Sequence, residues 1–205
     1  FTGIRNVFGS GMKIQDGKYV FTTPSHTLES IFVYRNRQGS SVSNSLSFLL
    51  ENEGVALPWD LRYGAKFASL CLGIDAYEKV LMRIADKEIL RVAYDNIIME
   101  PEGEYELARK PLPPPFRTYS EYVGCLQETL RQAFADATRE GRALTYRPLA
   151  TCSSGYDSAA SAALAKRFGC REAVTLSYAF RGATDSGRTV GEALGLKVQE
   201  FSRPE

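Results

Sequence analysis

Apolar residues over positions 1 to about 57 come in short runs set between polar turn formers, which predicts a β-rich region. Positions 18–22 and 30–34 carry aromatic and β-branched residues between turn formers, as strands do. Positions 35–39 read as a hairpin turn into a third strand at 41–44. Positions 45–50 read as a short helix whose apolar residues are Leu46, Phe48, Leu49 and Leu50. From Pro58 to Leu72 the spacing of Leu61, Phe67, Leu70 and Cys71 predicts a longer helix, opened by Pro58 and closed by Gly73. A further helical stretch is predicted over 75–84, then one or two strands over 88–99 and a polar turn over 100–104.

Pro111, Pro113, Pro114 and Pro115 interrupt this pattern, because so dense a run of proline cannot be helical and favours an extended connector. The reading is therefore a β-rich domain over 1–110, a linker over 111–118 and a second domain over 119–205. The second opens on a capping box, with Thr118 as N-cap and Glu121 reaching back. Tyr122, Leu126, Leu130, Phe134 and Ala137 then recur at helical spacing as far as Gly141. A strand over 145–152, an alanine-rich helix ending at Gly169, a strand over 173–178, a helix over 184–194 and a strand over 196–201 follow. Strands alternating with helices predict βαβαβ units and a parallel sheet, hence an α/β C-terminal half behind a smaller α+β, β-rich domain. Right-handed crossovers set the 153–158 loop at the carboxyl end of its strand.

That loop, Ser153-Ser154-Gly155-Tyr156-Asp157-Ser158, is the candidate chemistry. A helix N-terminus presents about four unpaired N–H donors and roughly half a positive charge, a ready place for phosphate. Ser153, Ser154 and Ser158 add hydroxyls, and Gly155 permits close approach of a ligand. Asp157 repels phosphate directly but suits a magnesium ion that also touches the phosphates. The competing reading is an ordinary N-cap, in which Ser or Asp satisfies the same N–H groups with no ligand present. The lysine of a Walker A loop is absent.

Composition narrows the classes. Among 205 residues, a net charge of +1 without a basic stripe gives no reason to expect nucleic acid, and no apolar run is long enough for a membrane span. Cys71, Cys125, Cys152 and Cys170 are widely spaced and His26 is the single histidine, which argues against zinc and fits a reducing, cytoplasmic setting. His26 reads as an exposed loop residue, Cys152 as a buried strand thiol and Tyr156 as a packing residue. Arg181 and Arg188 are candidate phosphate contacts or solvated charges, and Asp185 a helix cap or a ligand. The chain opens at Phe1 without methionine, which leaves a processed terminus or a piece of a longer protein as the two readings.

The loop resembles the SGGxDS signature of the N-type ATP pyrophosphatases, the PP-loop group. The proline-rich connector, Tyr119 and Tyr122, the long helix and Asp185-Ser186 are similar to the asparagine synthetase-like branch. The run through Val42-Ser43-Asn44-Ser45-Leu46 resembles the later part of a class II glutamine amidotransferase domain. The resemblance implies an adenine nucleotide alpha hydrolase-like fold with ATP and Mg2+ as cofactors. It implies phosphate contacts from Ser153, Ser154, Gly155 and Ser158, magnesium at Asp157, and adenosine near Thr151, Leu176 and Ser177. The implied reaction is ligase chemistry: adenylation of an acceptor, a carboxylate first of all, then C–N bond formation with release of AMP and pyrophosphate. Two alternatives stand beside it, a non-catalytic binding or assembly protein on the same scaffold and a stand-alone ligase using ammonia. Ser154 departs from the usual glycine, and no cysteine opens the chain, so glutamine hydrolysis is not expected. The sequence stops where such synthetase domains continue, so the acceptor pocket is expected outside it. A second copy, or a further segment of chain, is expected to cover the exposed sheet edge.

Overall fold

The computed structural model describes residues 7–58, 61–112, 115–178 and 184–202. Two compact units emerge, Phe1–Pro114 and Pro115–Glu205.

In the first unit, β1 (Gly11–Gln15) and β2 (Lys18–Thr22) form a hairpin through Asp16 and Gly17. Both turn residues have positive φ, 52° and 78°, which matches the right-handed twist of paired strands. β3 (Ile31–Asn36) turns into β4 (Gly39–Ser43), and Asn36 Oδ1 accepts the Gln38 and Gly39 N–H groups at 2.8 and 3.1 Å to shape the turn. β5 (Val80–Ile84), β6 (Lys87–Val92), β7 (Asn96–Met99) and β8 (Tyr105–Ala108) complete two four-stranded sheets, ordered β1-β2-β7-β8 and β4-β3-β6-β5. Every pairing in them is antiparallel.

Period-two alternation in β3 divides the core. Ile31 and Val33 join Val92, Ile97 and Met99 in one cluster, while Phe32 and Tyr34 join Leu81, Met82 and Ile89 in another. The second cluster is covered by Leu49 of α1 (Leu46–Asn52) and Phe67 of α2 (Tyr63–Ala68). Ser45 caps α1, its side chain accepting the Phe48 N–H at 3.3 Å.

Three expectations for this unit change. Positions 80–84 are a strand, because Val80-Leu81-Met82 is a short apolar run that pairing with β6 settles in favour of sheet. The helix read from Pro58 starts only at Tyr63 and tightens into a 3-10 turn over Ser69–Leu72; positions 59 and 60 lie outside the described residues. β1 and β8 were not foreseen, since Gly11 and Lys13 in one and Glu106 in the other dilute the apolar signal.

In the second unit, α3 (Tyr119–Ala137) starts at its expected cap, where Thr118 Oγ1 accepts the Glu121 N–H at 3.1 Å. Glu121 reaches back one residue further than expected, to the Arg117 N–H at 2.7 Å. β9 (Leu149–Thr151), α4 (Tyr156–Arg167), β10 (Glu172–Leu176), α5 (Arg188–Ala193) and β11 (Lys197–Phe201) follow. The strands are parallel in the order β11-β10-β9. Ala150, Cys152, Ala162, Cys170, Ala173 and Leu196 form the core, with Phe134, Val190 and Val198 packed against it.

The expected fold class is corrected. The protein is a mixed structure of two antiparallel sheets and one short parallel sheet, not one whose C-terminal half is a Rossmann-like, adenine nucleotide alpha hydrolase-like βαβαβ layer. The β-rich unit is also the longer of the two rather than the smaller. Physical causes are local. Pro148 has no N–H to extend β9, which is three residues long, and α5 is a six-residue helix. The strand order never reverses, so the sheet lacks the switch point at which doubly wound proteins open a crevice. Among the described residues, no helix is long and apolar enough to cross a membrane.

Candidate functional site

β9 ends at Thr151 and α4 begins at Tyr156, so four residues make the turn between them. Cys152, 3% exposed, carries the sheet one step further by donating its N–H to the Val174 carbonyl at 2.9 Å. The thiol is buried as expected, but one residue beyond the strand.

Gly187 lies against this backbone. A Cβ there would stand 2.5 Å from the Cys152 carbonyl carbon and 2.6 Å from the Ser153 nitrogen, so no side chain fits. The buried Thr175 hydroxyl accepts the Gly187 N–H at 2.8 Å and fixes the approach. Ser153 and Ser186 pair as an isolated antiparallel bridge.

The loop's hydrogen bonds close on themselves. Ser158 Oγ accepts the Ser153 N–H at 3.0 Å and donates to the Gly155 carbonyl at 3.1 Å. With that proton placed, the 2.7 Å contact between the two hydroxyls has Ser153 donating to Ser158. Ser153 Oγ in turn accepts the Gly155 N–H at 3.2 Å. Ser154 turns away to Asp185: its hydroxyl donates to Oδ1 at 2.8 Å, and its N–H reaches Oδ1 at 3.3 Å and the Asp185 carbonyl at 3.2 Å. The N–H groups of residues 153, 154 and 155 are therefore all engaged.

The first turn of α4 is different. Its N-cap is Gly155, which has no side chain to cap with, and Asp157 is the acidic residue of the turn. Among the described residues, no hydrogen bond meets the N–H groups of Tyr156, Asp157 and Ser158. These donors, with the exposed Asp157 carboxylate beside them, are what the loop offers a ligand.

Ser153, Ser154, Gly155, Asp157 and Ser158 are thus gathered in one turn. Thr151 is exposed at the end of β9, in register with Val174. Leu176 and Ser177 lie at the same end of the neighbouring strand, but the Ser177 N–H and hydroxyl both go to the Phe201 carbonyl, at 3.0 and 3.3 Å. Asp185 is not the helix cap: α5 starts at Arg188 behind N-cap Gly187, and the Asp185 carboxylate accepts the Ser154 hydroxyl.

Arg188 is spent on Glu200 at 2.8 Å and Glu192 at 3.4 Å. The Ser186 hydroxyl and then that guanidinium hold Glu200 below the usual carboxylate range. Arg181 lies outside the described residues. Tyr156, expected to pack, is 94% exposed. His26 is half-buried, and its Nδ1 accepts the Leu28 N–H at 3.3 Å in a loop turn. Thr175 and Gly187 were missed by sequence reasoning; the one available signal was the glycine following Asp185-Ser186.

Among the described residues, no group of three His, Cys, Asp or Glu is placed to hold a metal. Asp157 alone fits a magnesium ion that arrives on a nucleotide, because magnesium takes one or two carboxylates and completes its shell with phosphate oxygens and water. A groove of about 390 Å3 in the first unit mixes Arg35 and Arg37 with Asp86, Glu102 and Glu104, so it favours neither sign of ligand. Compared with known proteins, the chain matches no family model and no curated sequence.

Proposed function

We propose that the 153–158 loop binds the phosphate chain of ATP, in an asparagine synthetase-like ligase or a part of one. The observation that carries the reading is the open first turn of α4. Three N–H donors stand behind a glycine N-cap, flanked by the Ser153 and Ser158 hydroxyls and by an exposed Asp157.

Asp157 would hold Mg2+, whose contribution when bound is to offset charge on the phosphates. In the reaction, an acceptor carboxylate oxygen attacks the α-phosphorus, and the bond to the pyrophosphate oxygen breaks. An amine or ammonia nitrogen then attacks the acyl carbon, and AMP leaves with its bonding pair. The first-turn N–H groups contribute by meeting the charge that develops on the departing pyrophosphate. Thr151, Leu176 and Ser177 lie on the adenosine side. All four cysteines are free, which suits the reducing, cytoplasmic setting proposed for the chain.

A second reading is favoured by the bonds from Ser154 to Asp185: a non-catalytic scaffold whose loop satisfies itself. Titration calorimetry with ATP and Mg2+ separates the two. The ligase reading expects binding in the micromolar to millimolar range, weakened at least tenfold in Asp157→Ala. No heat and no thermal shift at millimolar ATP-Mg2+ would leave the scaffold.

A further inference from the structure

We infer that the Asp185 carboxylate is a resident stand-in for one phosphate of the ligand, a latch that occupies Ser154 until a nucleotide displaces it; this rests on the phosphate-site reading above. A carboxylate that accepts an N–H and an O–H from one loop residue makes the contacts a phosphate oxygen would make there. Asp185 Oδ1 does so at Ser154, at 3.3 and 2.8 Å.

The latch is built in rather than a chance surface contact. The Asp185 N–H donates to the Ser177 carbonyl at 3.3 Å, which ties its backbone to the end of β10. Two residues on, the Gly187 N–H is held by the buried Thr175 hydroxyl, and Gly187 packs against Cys152 and Ser153 at a distance that excludes any Cβ. Asp185 therefore cannot drift from the loop without moving a segment anchored on both sides of it. Its side chain, half-buried, has χ rotations to use instead.

Ser154 has a specific part in this. A glycine at that position would have no hydroxyl to give Asp185 and would keep only the weaker N–H contacts. A phosphate approaching Ser154 meets a like charge already in place and must either push it aside or arrive with a cation that bridges the two. The loop accordingly discriminates against a bare anion and in favour of a magnesium complex.

The test is calorimetric titration of the full chain and its variants with inorganic pyrophosphate and with ATP, each with and without Mg2+. Asp185→Asn keeps the shape and an acceptor but removes the charge; Ser154→Gly removes the hydroxyl and leaves Asp185 intact. Both are expected to bind pyrophosphate and ATP about tenfold more tightly than the parent and to depend less on Mg2+. Far-UV circular dichroism checks that each variant is folded, and Ser154→Gly decides the matter if Asp185→Asn is not. Binding by the parent with equal or weaker binding by the folded variants overturns the latch and leaves the phosphate site standing. Absence of binding by the parent and by every folded variant overturns both.

Discussion

Lys110 is 2% exposed, and its ammonium donates to the Thr23 hydroxyl and to the Tyr94 carbonyl. Those bonds help hold Tyr94 at φ 69°, a left-handed conformation that a bulky residue rarely takes. Burial disfavours the charge and, against the opposing pull of Asp95, brings the Lys110 pKa down to about 8. The unfolded chain keeps a lysine near ~10.4, so between about 8 and that value the unfolded state binds more protons and stability rises with pH. Burial raises Tyr77, Tyr94 and Tyr105, whose contribution is lost only above the unfolded tyrosine value of ~10. The window that isolates Lys110 is therefore about pH 8 to 10. Urea midpoints there should climb with pH in the parent and lose that slope in Lys110→Met, even though the variant is less stable throughout. An unchanged slope would mean that Lys110 is charged inside the fold. None of this was legible beforehand: a lysine opening a proline-rich run reads as solvated, because lysine is almost never fully buried unless paired.

At the scale of elements, legibility followed how local the determining forces are. The start of α3 was readable because a capping box is written in consecutive residues, Thr118 to Glu121. Its end was not: the helix stops at Thr138, whose hydroxyl donates to the Phe134 carbonyl, three residues before the glycine expected to end it. β5 was mistaken for helix because its partner β6, not its own periodicity, makes it a strand. The 153–158 loop is written in consecutive residues, whereas the segment that braces it, from Thr184 to Gly187, reads in sequence as the first turn of a helix. Only the close approach to Cys152 explains why Gly187 stands where it does. Gly187→Ala should force the two backbones apart at a cost of about 1–3 kcal/mol. It should also free the amides now held by Thr175 and Asp185. A drop in melting temperature with faster hydrogen exchange at Ser154 and Gly187 is expected. Unchanged exchange at Ser154 would show that the brace does not set the loop.

For the molecule as a whole, aromatic and β-branched runs between turn formers announced a β-rich first part, and the proline run marked where the pattern changes. The class of the second part was misjudged because sequence spacing reports the succession of strands and helices but not their length or order in the sheet. Both quantities depend on residues without a strong pattern of their own, such as Pro148 before β9 and the glycines flanking and within α5. What the topology does fix is where the candidate chemistry belongs. Every residue of the proposed phosphate site, and each support named for it in Cys152, Thr175, Asp185 and Gly187, falls in the Pro115–Glu205 unit. The clusters around Val33 and Ile97 and around Phe32 and Ile89 fall in the other. Ile97 is fully buried, and truncating such a side chain costs about 2–5 kcal/mol through lost burial and the cavity left behind. Ile97→Ala is therefore expected to lower the melting temperature of the first unit while the folded variant binds ATP-Mg2+ with the parent's affinity. Scanning calorimetry reads the first effect and titration calorimetry the second. A folded Ile97→Ala protein that no longer binds the nucleotide would place the determinants of binding among the antiparallel sheets and take them away from the serine loop.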